Sequence, residues 1–199
     1  MTLVRVELLG AIRLVSEKGS FARFRRQKTG FLLAYLALRS GREVSRDELC
    51  ERLWPESPEP AARNNLRVAL SELRSMVAAA GAARDVLSAT RSHAKLSPTI
   101  ATDVGELELA LAEARCGDEA AQAAELERAV ALYAGALAPA CFQDWIVPER
   151  RRIDVLVLAA LLKLARRSEA LGDLDGVEAW VSRALAIESY SEPHYEVLL

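Results

Sequence analysis

The stretch that decides the fold reads Ala61-Ala62-Arg63-Asn64-Asn65-Leu66-Arg67-Val68-Ala69-Leu70-Ser71-Glu72-Leu73-Arg74-Ser75-Met76-Val77-Ala78-Ala79, with Gly81 close behind it. Leu66, Ala69, Leu70, Leu73 and Val77 recur at the i, i+3, i+4 spacing of one buried helix face. At 100° per residue, Arg63, Arg67, Ser71 and Arg74 fall within roughly 80° of one another beside that stripe, with Asn64 next to them. A helix docked by its leucines therefore presents three arginines, a serine and an asparagine outward. Arginine pairs with guanine edges and asparagine with adenine edges, and both hold phosphates. The competing reading is an Arg-rich face that is merely solvated.

The residues before this helix supply the rest of a small module. Val4 to Val15 alternate between apolar and polar across Gly10, the period of a β-hairpin, and Phe21 to Phe24 would add a third strand after a Glu17-Lys18-Gly19-Ser20 turn. From Lys28 the period becomes helical, with Phe31, Leu32, Tyr35 and Leu38, until Gly41 stands where a C-cap glycine belongs. Ser45-Arg46-Asp47-Glu48 is a capping box that launches a second helix, and Trp54-Pro55 ends it. After the third helix, Val86 to Leu96 alternates weakly around Thr90-Arg91-Ser92-His93, which predicts a terminal hairpin.

Beyond Pro98 the pattern is helical throughout. Asp103-Val104-Gly105-Glu106 is a cap-like start, and Val104, Leu107, Leu111 and Ala114 form a stripe. A second helix carries Leu126, Val130, Tyr133 and Leu137, and a long third follows Trp145 with Ile153, Val157, Ala160, Leu161 and Leu164 inward. Leu156, Leu158 and Leu162 make its middle apolar almost all round, so it should lie between other helices. A last helix holds Val177, Trp180, Val181, Ala184 and Leu185. Leu126 to Val130 and Val181 to Leu185 resemble each other, but their arginines, Arg128 and Arg183, are 55 residues apart. A tetratricopeptide (TPR) period is ~34, so the array is TPR-like rather than a strict repeat.

Charge divides at the same place as periodicity. The net charge of −2 is the sum of 17 basic against 10 acidic residues through Lys95 and 9 against 18 after it. Such asymmetry points to a nucleic-acid-binding part joined to an acidic part. No uninterrupted apolar run exceeds the eight residues of Val155 to Leu162, far short of the ~20 of a membrane helix. The N-terminus lacks the continuous apolar core of a signal peptide, so a cytoplasmic protein without membrane contact is expected. Cys50, Cys116 and Cys141 show no CxxC spacing and are expected as reduced, mostly buried thiols.

No nucleophile and base pair, phosphate-cradling loop or metal-ligand cluster is visible, so neither an enzyme, a cofactor nor a metal is expected. The two histidines, His93 and His194, have no acidic or thiol partner at ligand spacing. Asp173 and Asp175 read as turn and capping residues. Asp144, Trp145, Glu149 and Arg150 to Arg152 could form a partner surface, against the plainer reading that Trp145 packs between helices.

The segment from Gln27 to Met76 resembles the OmpR-type winged helix of the SARP (antibiotic regulatory protein) family of transcriptional activators. The likeness is carried by Lys28 to Leu38, by Asp47-Glu48-Leu49 with Leu53-Trp54-Pro55, and by Ala62 to Arg74. The second half is similar to the bacterial transcriptional activator domain that follows in that family. It matches through Asp103-Val104, Leu132-Tyr133-Ala134-Gly135, Asp144-Trp145-Ile146-Val147-Pro148-Glu149-Arg150 and Glu192-Pro193-His194-Tyr195. Where the family carries Gly-Tyr before the last wing strand, this chain has His93-Ala94. The family's helical domain also continues past the counterpart of Leu199, so the chain is expected to be truncated at its C-terminus.

The reading is thus a mainly α protein with a small antiparallel β component. Residues 1–97 form a winged helix-turn-helix and residues 98–199 an all-α TPR-like domain. The candidate DNA-binding residues are Arg63, Asn64, Arg67, Ser71 and Arg74 of the third helix. Arg25, Arg26 and Lys28 at the start of the first helix join them, beside Arg23, with Arg91, His93 and Lys95 in the hairpin. In a winged helix the third helix enters the major groove while the wing and helix starts grip phosphates. The resemblance implies an activator at direct-repeat promoter sites that contacts RNA polymerase and its σ subunit, with a homodimer forming on DNA. The alternative is a TPR-like protein-interaction or effector-sensing scaffold whose winged helix does not bind specific DNA; it would have no need of three arginines on one face.

Overall fold

The structure, a computed structural model, describes residues 4–83 and 85–191, with side chains through Ile187. Met1–Leu3, Arg84 and the residues from Glu192 on, with the Glu192-Pro193-His194-Tyr195 motif, lie outside the described residues. The predicted hairpin is present. β1 (Arg5–Glu7) pairs antiparallel with β2 (Arg13–Ser16), Val6 opposite Leu14, and both side chains are fully buried. The third strand comes earlier than the sequence suggested. Glu17 and Lys18 alone make the turn, so pairing resumes at once in β3 (Gly19–Phe21). Phe24 instead leaves the sheet to lie over Gly30, where an added Cβ would meet its ring at 3.0 Å.

The winged-helix elements follow in the expected order. α1 (Gln27–Ala37) is buried along its whole length from Thr29 to Ala37, because α2 (Arg46–Leu53), α3 (Glu59–Ala79) and the terminal hairpin all pack on it. Gly41 does not cap α1. It lies beyond Leu38, at φ +80°, where its N–H donates to the Leu96 carbonyl at 2.8 Å. α3 starts two residues earlier than read, with Pro60 in its first turn, where a missing N–H is harmless. The hairpin forms as β5 (Leu87–Ala89) and β6 (His93–Leu96), and β4 (Val44–Ser45) adds to β6 as a third strand.

Half of the predicted capping box survives. Ser45 Oγ accepts from the Glu48 N–H at 3.0 Å, but the Glu48 carboxylate does not reach back. It accepts instead from the Tyr35 hydroxyl at 2.6 Å. Tyr35 is 1% exposed, its ring lies under the Arg39 guanidinium at 3.8 Å, and it meets the Trp145 ring edge-on at 4.9 Å. One phenol therefore links α1, α2 and the helical half.

That half is α4 (Asp103–Glu113), α5 (Glu119–Leu132), α6 (Val147–Ala170) and α7 (Leu174–Ser191), each packed on the next. Thr102 rather than Asp103 caps α4, its Oγ1 accepting from the Gly105 N–H at 2.9 Å. Asp103 is freed for a longer reach. Its Oδ2 accepts from the Leu8 and Leu9 N–H groups, each at 2.8 Å, and its Oδ1 from Val104 N–H. Just before it, β7 (Ala101–Thr102) pairs parallel with β1, a strand and an orientation that alternation did not reveal. The β component is therefore not wholly antiparallel.

Two expectations about the helices change. Leu137 is not on α5, which ends at Leu132; it bridges to Leu9, with Ala138 N–H donating to the Leu8 carbonyl at 2.7 Å. Gly10 and Gly135 let these backbones close, since a Cβ on Gly135 would meet the Gly10 Cα at 3.3 Å. α6 is not enclosed all round: Ile153, Val157, Ala160, Leu161 and Leu164 are buried as predicted, but Val155 and Leu162 face outward. Two neighbours, α5 and α7, cover only part of its circumference. Asp173 does act as a cap, accepting from Gly176 N–H at 3.0 Å.

Asp103→Asn replaces two accepting oxygens by one, leaving at least one buried N–H without its acceptor. The expected cost is about 1–3 kcal/mol, read as a lower urea midpoint, with tryptophan fluorescence and far-UV signals shifting together. Burial and the bond to Glu48 push Tyr35 up to about 12, and burial beside Asp154 pushes Tyr133 up further. Folding therefore favours the neutral phenols. The contribution of Tyr35 is intact below the ordinary tyrosine value of ~10 and is lost as pH rises through about 12. A tyrosinate absorbance titration should show a late-ionising fraction that moves to ~10 in urea.

Candidate nucleic-acid interface

The α3 stripe behaves as its spacing predicts. Leu66, Ala69, Leu70, Leu73 and Val77 are buried, and Arg63, Asn64, Arg67, Ser71 and Arg74 are all exposed. The five do not share one environment, however. Arg63, nearest the N-terminus, reaches Glu59 at 2.7 Å and Asp47 at 3.2 Å, so its charge is already paired. Arg67 donates to Asn64 Oδ1 at 3.1 Å, which holds both side chains on the outer face. Arg74 donates to the Ala89 carbonyl at 3.1 Å and so ties α3 to the first strand of the hairpin.

Beside Arg67 and Ser71 an open groove of about 740 Å³ separates α3 from the segment between β3 and α1. Arg23, Arg25 and Arg26 line its far wall. Glu72 is the one carboxylate among its described lining residues. Both Glu72 oxygens are occupied, by the Arg25 backbone N–H at 2.6 Å and the buried Thr29 hydroxyl at 2.8 Å. Glu72 therefore fixes the start of α1 without neutralising a guanidinium. Among the described residues none of Arg23, Arg25, Arg26 and Arg67 forms an ion pair. A groove with four unpaired arginines on its two walls focuses positive potential and suits a polyanion.

The remaining predicted residues divide. Arg91 is exposed in the turn between β5 and β6, and the Arg46 N–H donates to the Ser92 carbonyl at 2.8 Å, docking that turn on the start of α2. His93 and Lys95 sit half-buried on β6, opposite Ser45 and Ser88, and His93 Nδ1 meets Ser92 Oγ at 2.9 Å. Lys28 is not brought to the groove. It is half-buried 5.8 Å from the Phe31 ring, and burial lowers its pKa while the nearby Cys141 and Glu56 oppose that shift. Its neighbour Gln27 donates to the Ala140 carbonyl, so this turn of α1 faces the helical half.

Of the possible partner cluster, Trp145 packs inside, at 6% exposure. Arg150 donates to the Leu137, Ala138 and Cys141 carbonyls at 2.5–2.7 Å, and Arg152 pairs with Glu108 and Glu149. A second hollow of about 420 Å³ lies among Tyr133, Leu161 and Arg183. Its polar groups are engaged: Tyr133 donates to Asp154 at 2.7 Å and Arg183 to the Val130 carbonyl at 3.0 Å. Among the described residues no cluster could hold a metal ion, and no helix is long and apolar enough to cross a membrane. Glu72 was missed by the sequence reading, although its place one residue after Ser71 put it on the flank that faces α1.

Residues 26–93 match the family model described as transcriptional regulatory protein, C terminal. The matched segment runs from the start of α1 to the start of β6 and is similar to an OmpR-type winged helix. Among curated proteins none matches the sequence. Among solved structures the chain is similar to Mycobacterium tuberculosis EmbR, solved in complex with a low-affinity phosphopeptide, at 23% identity and a TM-score of 0.81. The match covers 97% of this chain and 52% of that one, so this chain spans about half the length of the structure it resembles. The winged helix followed by a helical domain, expected from the sequence, is thus a known arrangement.

Glu72→Ala should remove the groove's carboxylate and unfasten the start of α1 together. Leaving the buried Thr29 hydroxyl unpartnered is expected to cost about 1–3 kcal/mol, and hydrogen exchange should quicken at the Arg25 amide.

Proposed function

We propose that the chain is a sequence-specific DNA-binding transcriptional regulator that reads promoter DNA with α3. The observation that carries this reading is the groove in which Arg23, Arg25, Arg26 and Arg67 stand without acidic partners beside the outward face of α3. In this reading Asn64, Arg67 and Ser71 approach base edges in the major groove. Arg25 and Arg26 hold phosphates on one flank, and Arg91, His93 and Lys95 do so on the other. Arg63 contacts DNA only by exchanging its bonds to Asp47 and Glu59 for bonds to the duplex. Arg74, tied to Ala89, orients the hairpin against α3 as well as adding charge.

The family match supports regulation of transcription. The SARP resemblance adds the finer reading: activation at direct-repeat sites in the cytoplasm, by a homodimer that recruits RNA polymerase and its σ subunit. No catalytic step, cofactor or metal enters the mechanism. Specificity comes from base contacts by α3, and most of the affinity from release of counterions condensed on the phosphates.

The test is fluorescence anisotropy of the full chain on duplexes recovered by genome-wide footprinting and on scrambled duplexes at ~150 mM salt. Tight binding to the first and weak binding to the second is expected, with log K falling linearly against log salt. Arg67→Ala should cost about 1–3 kcal/mol and relax specificity at one position, whereas Arg25→Ala should weaken all duplexes alike and reduce the salt slope by about 1. Equal, weak binding of the wild type to both sets sinks the reading.

A further inference from the structure

Among the described residues Arg63 is the one arginine of the outward α3 face with acidic partners. Its guanidinium reaches Glu59, one turn back on the same helix, at 2.7 Å, and Asp47, in the first turn of α2, at 3.2 Å. Arg46 precedes Asp47 in the chain, and all four charges lie close enough to the Cys50 thiol to bear on it. Burial raises the pKa of that thiol, Asp47 and Glu59 add to the rise, and Arg63 and Arg46 oppose it. Two cations and two anions cancel, whereas the arginines of the groove beside Arg67 have no such answer. The cancellation is easily undone. The Arg63, Asp47 and Glu59 side chains are 59%, 73% and 71% exposed, and solvated pairs of this kind contribute little stability.

The cluster offers a partner a donor fork and acceptors side by side. A phosphate can only accept, so it takes the guanidinium and leaves two carboxylates facing its own charge. A G·C pair in the major groove answers both halves. Guanine O6 and N7 are adjacent acceptors that suit a two-pronged guanidinium, and the cytosine N4 amino group donates to a carboxylate. An A·T pair sets its one donor between its two acceptors, so the fork finds no adjacent pair to hold. Position agrees with chemistry, since a recognition helix turns its N-terminal residues to base edges. Arg63 lies in that part of α3, next to Asn64, which Arg67 holds on the same face.

We propose that Arg63, Asp47 and Glu59 together read one G·C base pair, Arg63 donating to guanine and a carboxylate accepting from the cytosine amino group, and that the two acids keep Arg63 from binding phosphates. This rests on the DNA reading given above and makes two acids specificity-determining residues of that interface.

The test uses the full chain as wild type, as Asp47→Asn with Glu59→Gln, and as Arg63→Gln, with Glu127→Gln on the exposed side of α5 as a control for the loss of an acid. Anisotropy is read against salt on a footprinted target duplex, on a scrambled duplex, and on targets that each carry one base-pair substitution. Asp47→Asn with Glu59→Gln is expected to tighten scrambled-duplex binding about fivefold and to steepen its slope of log K against log salt by about 1, because Arg63 is then free to take a phosphate. The same variant should accept substitution at one G·C position that the wild type rejects about tenfold. Arg63→Gln should lose discrimination at that same position with scrambled-duplex binding and its slope unchanged, and Glu127→Gln should behave as wild type. A selective wild type whose double variant keeps its selectivity and its salt slope overturns the proposal and leaves the DNA reading standing. Loss of discrimination at an A·T position, or at different positions in the two variants, overturns it as well. Equal, weak binding of the wild type to target and scrambled duplexes removes the DNA reading and this reader together.

Discussion

The carboxylate of Asp103 holds the two halves of the chain to one another. Its oxygens take the N–H groups of Leu8 and Leu9, where β1 runs out, and of Val104, where α4 begins. The group is almost wholly buried, and burial raises its pKa while the three donors act in the opposite direction. Such a group is tolerable because both oxygens accept hydrogen bonds, so strand end and helix start cannot separate without leaving several buried polar atoms unmatched. β7 on β1, Leu137 against Leu9, and the near-contact of Gly10 with Gly135 extend the same seam. Buried side chains form one continuous cluster from Val4 to Ile187 across it.

That seam gives the charge asymmetry its structural meaning. Of the basic residues of the first half, Arg23, Arg25, Arg26 and Arg67 stand on two walls of one groove, and its one carboxylate among the described lining residues is spent on an amide and a hydroxyl. A glutamate paired with Arg25 or Arg67 would have weakened that field. Arg63 shows the contrast, since Glu59 and Asp47 already answer it. Counting arginines on a helix face therefore overstates the number available to a polyanion, and the hydrogen-bond partners of the neighbouring acids correct the count.

Much of this was legible in the sequence. The α3 stripe, the hairpins, the change of period after Pro98 and the α6 core residues rest on local periodicity, which a single chain displays directly. What was not legible depends on contacts between distant residues. β7 is two residues long and pairs in parallel across 96 positions, so no alternation could announce it. Glu48 satisfies the capping spacing, yet tertiary structure brings Tyr35 to its carboxylate, and a short hydrogen bond to a buried phenol wins over a reach back to Ser45. Lys28 belongs by sequence to the basic cluster at the start of α1, but a helix turns by 100° per residue, and two positions beyond Arg26 the side chain faces the helical half.

The same rotation explains why an exposed aromatic ring, Phe142, and an arginine groove can both be presented from the neighbourhood of α1. One side of its first turn is fastened by Glu72 beneath the groove, through Arg25 and Thr29; the other is fastened to the loop that carries Phe142, through Gln27 and Ala140. The two surfaces thus share a short, doubly anchored piece of backbone with no flexible linker between them. In a molecule joined by a linker, the position of one surface would say little about the other. Here the placement of α1 fixes the groove and Phe142 relative to one another, so their geometry is a property of the fold.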